Sequence, residues 1–330
     1  MSTLATTLSA LSAENVVFKN QHPGESDSRA EILAGLHQKQ KTINPKYFYD
    51  TYGSELFEQI TNLPEYYPTR TEHSILMDNA DSMSECCGEN CVLIEPGSGS
   101  SEKVRLLLEP LKPSAYVPMD IAKEFLQRSA VKLGKEFPWL NVHAVCADFG
   151  SYDKAPEGLP EGKRVVFYPG STLGNMTPDV AKQFLKNLGK WLNHDGGILI
   201  GIDLHKSEDT LTAAYNDQQG VTAQFNLNVL EHVNSLTNSN FEVKNFSHRA
   251  FYNLEVQRIE MHLVSKVDHI VRLGESAIAF GKGETIHTEN SYKYTEEGFQ
   301  LLAEQAGFEV RQSWLDDEQL FSVHYLELEK

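Results

Sequence analysis

Cys91-Val92-Leu93-Ile94-Glu95, followed by Pro96-Gly97-Ser98-Gly99-Ser100, is the stretch on which the fold turns. The first five residues read as a short buried strand. The glycine loop then leads into a helix carrying Val104, Leu107 and Leu108 at i, i+3 and i+4. Working outward, the same unit recurs. AYVPMD (115–120) is a second strand, followed by a helix over 121–133, and HAVCADF (143–149) and RVVFYPG (164–170) are a third and a fourth. Thr177-Pro178-Asp179 opens another helix, with Thr177 as its cap and Val180, Phe184, Leu188 and Trp191 as its inner face. ILIGIDL (198–204) is the fifth strand. Strand and helix alternating five times with short loops predict a parallel, doubly wound α/β sheet.

On either side the pattern changes. Residues 31–67 are dense in aromatics (Tyr47, Phe48, Tyr49, Tyr52, Phe57, Tyr66, Tyr67), which suit a core and, through their phenols, a polar ligand pocket. Residues 206–294 open helical (TLTAAYNDQQGVTAQFNLNVLEHVNSL, 210–236) and then alternate, with Ile259, Met261 and Leu263 on one strand face. This reads as an α+β insertion before the end of the sheet. After it, TEEGFQLLAEQAG (295–307) is a helix ended by Gly307, and FEVRQSW and FSVHYLEL form a closing hairpin. The first 27 residues are polar and read as a flexible terminus.

Composition narrows the function. With 29 Lys+Arg against 46 Asp+Glu the net charge is −17, against a nucleic-acid binder or a polybasic membrane module. No apolar run approaches a membrane span, and no basic-then-apolar leader opens the chain, so a cytoplasmic protein with a small-molecule partner is expected. No obligate protein partner is indicated. Four cysteines are too sparse for a disulfide scaffold, and Cys86, Cys87 and Cys91 read as a loop before a strand. The 12 histidines lack metal-ligand spacing, and no metal is expected.

The glycine loop sits where a doubly wound sheet binds ligands, beyond the carboxyl ends of its strands. A dinucleotide fingerprint is absent, because Glu102 takes the place of its third glycine. Instead Asp120 ends the second strand, 25 residues after Glu95, where a carboxylate can accept both ribose hydroxyls, and Asp148 ends the third, within reach of an adenine amine. Acids at three successive strand ends suit a cationic ligand with an adenosine tail, which is S-adenosylmethionine. A closing hairpin whose last strand inserts antiparallel is the ending of class I, Rossmann-like methyltransferases. The fold expected is that sheet with an inserted α+β substrate-binding domain: residues 71–205 and 294–330 for the first, 28–70 and 206–293 for the second.

Seven stretches carry a more specific resemblance: YFYDTYGSELFEQITNLPEYYPTRTE (47–72), EPGSGSSEKVRLLL (95–108), YVPMDI, ADF, GSTLGNM (170–176), AAYNDQQGVTAQFNLNVL (213–230) and HTENSYKY (287–294). In these the chain resembles the L-histidine Nα-methyltransferases of ergothioneine biosynthesis. The resemblance implies S-adenosylmethionine contacts at Gly97, Lys103, Asp120, Asp148 and Phe149. It implies histidine contacts at Tyr66, Gly170, Asn175, Tyr215, Met261, Glu289 and Ser291, with Tyr49 catalytic beside the reacting amine. The chemistry implied is up to three methyl transfers to the α-amine, giving the betaine hercynine.

On the residues alone, Glu289 and Ser291 share one face of an extended segment and can engage the two nitrogens of an imidazole. Met261 alone reads as core. Asn175 and Tyr215 can hold a carboxylate without a buried cation. Tyr49, or a water beside it, can assist loss of the amine proton. Two other readings stay open: a same-fold N-methyltransferase acting on another aromatic or modified amino acid, and a non-catalytic subunit that binds S-adenosylmethionine.

Overall fold

The computed structural model describes residues 13–21, 26–148, 154–193 and 195–329. In chain order the first elements are β1 (Val16–Asn20), α1 (Ser26–Leu36), β2 (Lys41–Thr42), α2 (Thr51–Thr61), α3 (Tyr67–Asp78) and α4 (Ala80–Cys87). The alternating part follows as β3 (Val92–Pro96), α5 (Arg105–Leu111), β4 (Ala115–Asp120), α6 (Lys123–Glu136), β5 (Asn141–Cys146), β6 (Arg164–Tyr168), α7 (Pro178–Gly189) and β7 (Gly197–Asp203). The insertion comprises α8 (Glu208–Tyr215), α9 (Val221–Thr237), β8 (Phe246–Asn253), β9 (Arg258–Ser265), β10 (His269–Leu273), β11 (Ser276–Phe280) and β12 (Thr285–Tyr292). The chain closes with α10 (Glu296–Gln305), β13 (Phe308–Leu315) and β14 (Phe321–Leu328).

Eight strands form one sheet in the order β1-β5-β4-β3-β6-β7-β14-β13. The first six are parallel, and β14 enters antiparallel between β7 and β13, as the closing hairpin predicts. The central strands are buried on both faces, which is why they read as unbroken apolar runs. Val92 and Ile94 pack with Ala181, Phe184, Leu188 and Phe299 on one side, whereas Leu93 packs with Ile75, Leu107 and Leu126 on the other. This is the class I methyltransferase sheet.

Four local expectations are corrected. Residues 16–20 are an edge strand rather than flexible terminus: β1 pairs with β5, and the Asn15 amide donates to the carbonyls of Gly134, Phe137 and Leu140, where α6 ends. The mark in the sequence is the apolar run Val16-Val17-Phe18, of which Val16 and Phe18 pack against the large sheet's core. The rest of 1–27 lies outside the described residues, apart from residues 13–15, Gln21 and the start of α1. Val180 is 54% exposed, because the buried face of α7 runs through Ala181, Phe184, Leu185 and Leu188. Thr177 makes no side-chain cap, and Pro178 alone supports that helix start. Cys86 and Cys87 end a helix rather than lie in a loop.

A second sheet, β2-β12-β9-β8, carries a separate apolar core against α1, α2 and α9. Helix α3 joins the two cores: Tyr67 at its start packs into the second, Ile75 and Leu76 near its end into the first. No helix among the described residues is long and apolar enough to cross a membrane.

Candidate active site

Between the carboxyl ends of the large sheet and the second sheet lies a cleft of about 620 Å³, part of it open to solvent. Tyr49, Tyr66, Gly170, Asn175, Tyr215, Met261, Glu289 and Ser291 all line it, although they span 242 positions of the chain. Each is fixed by local structure. Tyr49 lies between a one-turn 3-10 helix (Pro45–Phe48) capped by Asn44 and α2, capped by Asp50, whose Oδ1 accepts from Gly53 N at 2.6 Å. Gly53 must lack a side chain there, because a Cβ would stand 1.7 Å from the Phe48 carbonyl oxygen. Tyr66 immediately precedes α3, ahead of Pro68, and Tyr215 is the last residue of α8.

The polar wall on β12 depends on a bulge. Pairing with β9 shifts register between His287 and Glu289, so that Ile286, Glu289 and Ser291 stand opposite Leu263, Met261 and Ile259, the inward residues of β9. Thr288, the extra residue, bonds the Met261 carbonyl and the Asn226 side chain. A bulge re-aims side chains in this way, and here it turns Glu289 and Ser291 into the cleft beside Met261.

Electrostatics sharpen the roles. Burial pushes the Glu289 carboxyl up to about 8, against the pull of Lys293. Burial, followed by the fields of Glu289, Tyr66 and Asp120, holds the Tyr49 phenol well above its ordinary value. Tyr49 therefore stands in the cleft as a protonated, hydrogen-bonding phenol. Its electrostatic neighbours Asp120 and Glu289 also locate it between the two halves of the site.

The cofactor half is built from backbone. Gly97 and Ser98 donate to the Met119 carbonyl at 2.8 and 2.9 Å, tying the loop to the end of β4. The Asp120 carboxylate accepts from Gly99 N at 3.0 Å and Ala122 N at 2.9 Å. Gly97 and Gly99 sit at φ +73° and +51°, and a Cβ on Gly99 would meet nothing within 4 Å. The buried Ser98 Oγ has no hydrogen-bond partner among the described residues. An open, glycine-lined cradle with an unpaired hydroxyl and a fixed carboxylate fits the nucleoside end of S-adenosylmethionine. One of the three strand-end acids behaves otherwise than expected. Glu95 turns into the core, where Tyr116 donates to it and burial raises its pKa to about 8. Asp148 pairs with Lys46 at 3.0 Å across to the second core. Phe149 lies outside the described residues.

Three residues of the site went unread in the sequence. Glu72, with its side chain 1% exposed, accepts from Gly170 N at 2.9 Å through both oxygens and binds Lys103, joining the substrate loop to the cofactor loop. It fits because Gly201 has no Cβ, which would lie 2.0 Å from Glu72 Oε1. Asp203 accepts from Tyr67 Oη at 2.7 Å and from Lys206 and Lys293, each at 2.6 Å. Burial opposes its charge, but the two lysines outweigh that and hold its pKa below the ordinary value. Lys293 also donates to Ser291 Oγ at 2.7 Å, so a buried cation does stand behind the neutral donors. The signals were present: Asp203 ends the fifth strand as Asp120 ends the second, and Lys293 continues the alternation of Glu289 and Ser291.

Among the described residues Glu260, His262 and His287 come nearest to a metal-ligand set, with candidate atoms within 4.8 Å. Their imidazoles are stacked at 4.6 Å and 12°, so the in-plane lone pairs do not converge, and Arg258 and Asn253 already occupy Glu260.

Comparison with known proteins gives the family. Residues 28–328 match the family model described as histidine-specific, S-adenosylmethionine-dependent methyltransferase. The chain is 38% identical over 295 residues to the histidine N-alpha-methyltransferase of Mycolicibacterium smegmatis, covering 87% of this chain and 91% of that protein. The enzyme of the same name from Mycobacterium tuberculosis is 38% identical over 296 residues, covering 88% and 91%. Ergothioneine biosynthesis protein 1 of Neurospora crassa is 31% identical over 279 residues, covering 81% of this chain and 31% of that longer protein. The chain belongs to the histidine-specific, S-adenosylmethionine-dependent methyltransferase family.

Proposed function

We propose that the protein methylates the α-amino group of L-histidine, in up to three rounds, to give hercynine for ergothioneine biosynthesis. The observation that carries this reading is the bulged β12 wall, which sets Glu289 and Ser291 two residues apart toward the same cleft as Tyr49, Asn175 and Tyr215. A carboxyl and a hydroxyl at that spacing suit the two ring nitrogens of an imidazole, with Met261 as the apolar wall. Asn175 and Tyr215 take the substrate carboxylate, and Tyr66 and Gly170 complete the amino-acid end. Gly97, Asp120, Asp148 and Lys103 hold the cofactor, joined by Phe149.

S-adenosylmethionine, when bound, supplies a methyl group on a sulfonium carbon, which an amine lone pair can displace. The chain's own task is alignment, and positioning of two reactants is worth up to about 7–11 kcal/mol. Tyr49, neutral and placed between Asp120 and Glu289, orients the amine through its hydroxyl. The ammonium proton leaves to solvent, because the cleft's phenols are held protonated and Glu289 is committed to the ring. An acidic chain with free thiols suits a reducing cytoplasm, where histidine and the methyl donor both occur.

The test is mass spectrometry of the purified protein with S-adenosylmethionine and each of the twenty amino acids. Histidine alone should gain one, two and three methyl groups. Preferential methylation of another amino acid overturns the assignment of Glu289 and Ser291.

A further inference from the structure

Behind the hydroxyls of Ser291 and Tyr215 lies a charge cluster that methyl transfer as described leaves unused. The Lys293 side chain is completely enclosed. Its ammonium donates to Asp203 Oδ2 at 2.6 Å, to Ser291 Oγ at 2.7 Å and, more weakly, to Tyr215 Oη at 3.4 Å. Neutralising Asp203 does not require it, because Lys206 already lies 2.6 Å from that carboxylate and Tyr67 donates to both oxygens. Asp316, the other acid near Lys206, is turned to the backbone amides of Glu318, Leu320 and Phe321. Burial pulls Lys206 down to about 8 and pushes Glu289, the acid in the field of Lys293, up to about 8, so near neutral pH two ammonium groups around one buried carboxylate leave a surplus positive charge behind the cleft wall.

Hydrogen-bond direction follows from the same geometry. An ammonium has donors only, so Ser291 and Tyr215 each offer it a lone pair. Each hydroxyl has one hydrogen, and Tyr215 Oη donates its own to Ser291 Oγ at 2.8 Å. The Ser291 hydrogen is left for the cleft that both residues line, and Ser291 Oγ keeps the Lys293 donor at 2.7 Å when the Tyr215 hydrogen turns to an anion there.

We propose that Lys293 is a positioning residue for the substrate carboxylate: it turns the Ser291–Tyr215 pair into a donor toward the cleft and, with Lys206, sets an uncompensated positive charge behind it. This rests on the histidine reading, in which Tyr215 faces the carboxylate. The pocket then selects an anionic group through neutral hydroxyls while the cation itself stays out of contact with the amine.

The experiment compares histidine with histamine, which keeps the imidazole and the amine but lacks the carboxylate. Binding of each is measured by calorimetry, with S-adenosylhomocysteine present, for the wild type and for Lys293→Met. The wild type should prefer histidine. In Lys293→Met the histidine-to-histamine affinity ratio should fall about tenfold or more, the size of a charge-assisted hydrogen bond, while histamine and S-adenosylhomocysteine bind as before. A merely structural lysine would weaken both ligands alike, and an unchanged ratio overturns the proposal. If Lys293→Met shows no cooperative melting, Lys293→Gln replaces it. That variant keeps an amide donor to Ser291 without the charge and should lower the ratio by a smaller factor; an unchanged ratio there also overturns the proposal. A wild type that binds neither ligand overturns the histidine reading itself, and the proposal with it. A carboxylate preference that survives the substitution overturns the proposal alone.

Discussion

The two halves of the site are built in different ways. The cofactor half is local: loop and carboxylate lie within residues 95–122, and the groups that fix them are mostly backbone amides, from Gly97 and Ser98 to the Met119 carbonyl and from Gly99 and Ala122 to Asp120. The substrate half is convergent: side chains from the Tyr49 turn, β7, α8, β9 and β12 meet, over a separation of 76 positions in the Tyr215–Ser291 bond and 90 in the Asp203–Lys293 pair. Backbone amides present the same groups whatever the side chains, so a local turn can serve a ligand shared by many enzymes. Discrimination between amino acids needs donors and acceptors of particular kinds at particular depths, which only side chains supply. Glu72 and Tyr49 are the joints, the first bonded to Gly170 and Lys103, the second within the fields of both Asp120 and Glu289.

The division can be broken most forcefully at Asp120. Asp120→Ala removes an acceptor for two ribose hydroxyls, each bond to a charged group being worth about 1.5–3 kcal/mol, so S-adenosylmethionine affinity should fall by about three orders of magnitude in calorimetry. Unchanged affinity would sink the ribose assignment and, with it, the view that this half is a backbone cradle around one carboxylate.

The substrate half is open to a different probe, pH. Burial raises the Glu289 pKa to about 8, above the usual carboxyl value, so folding favours its protonated form. The stability it leaves intact is fully present below the unfolded pKa and is lost as pH rises through about 8. Glu289→Gln cannot titrate. Its melting temperature relative to wild type should therefore climb between pH 5 and 9, by on the order of a few kcal/mol in stability, at about 1.4 kcal/mol per pKa unit. A difference independent of pH would mean that the carboxyl is better solvated than its place in the cleft implies.

The smallest effect is expected at the joint. Tyr49→Phe removes one neutral hydrogen bond to the amine and should lower kcat about tenfold, with KM for histidine nearly unchanged. Rising KM at constant kcat would assign Tyr49 to the substrate half alone.

Sequence by itself determined the large sheet and the place of the glycine loop and Asp120 at the ends of its strands. Central strands buried on both faces read as unbroken apolar runs, so β4 was legible to the residue; the closing hairpin was legible to within one, β13 running on to Leu315 beyond FEVRQSW. Asp120 was legible because strand, loop and acid are neighbours in the chain. What tertiary structure decided is what long-range pairing decides. The edge strand at Val16–Asn20 is held by pairing with β5, more than 100 positions away in the chain, and by Val16 and Phe18 packing on the core. The inward turn of Glu289 depends on a bulge whose register only β9 defines. Glu95, equal to Asp120 in the sequence pattern, is drawn into the core by the Tyr116 hydroxyl. Lys293, by pattern an ordinary strand lysine, is enclosed because Asp203, 90 positions earlier, supplies the countercharge that makes its burial tolerable.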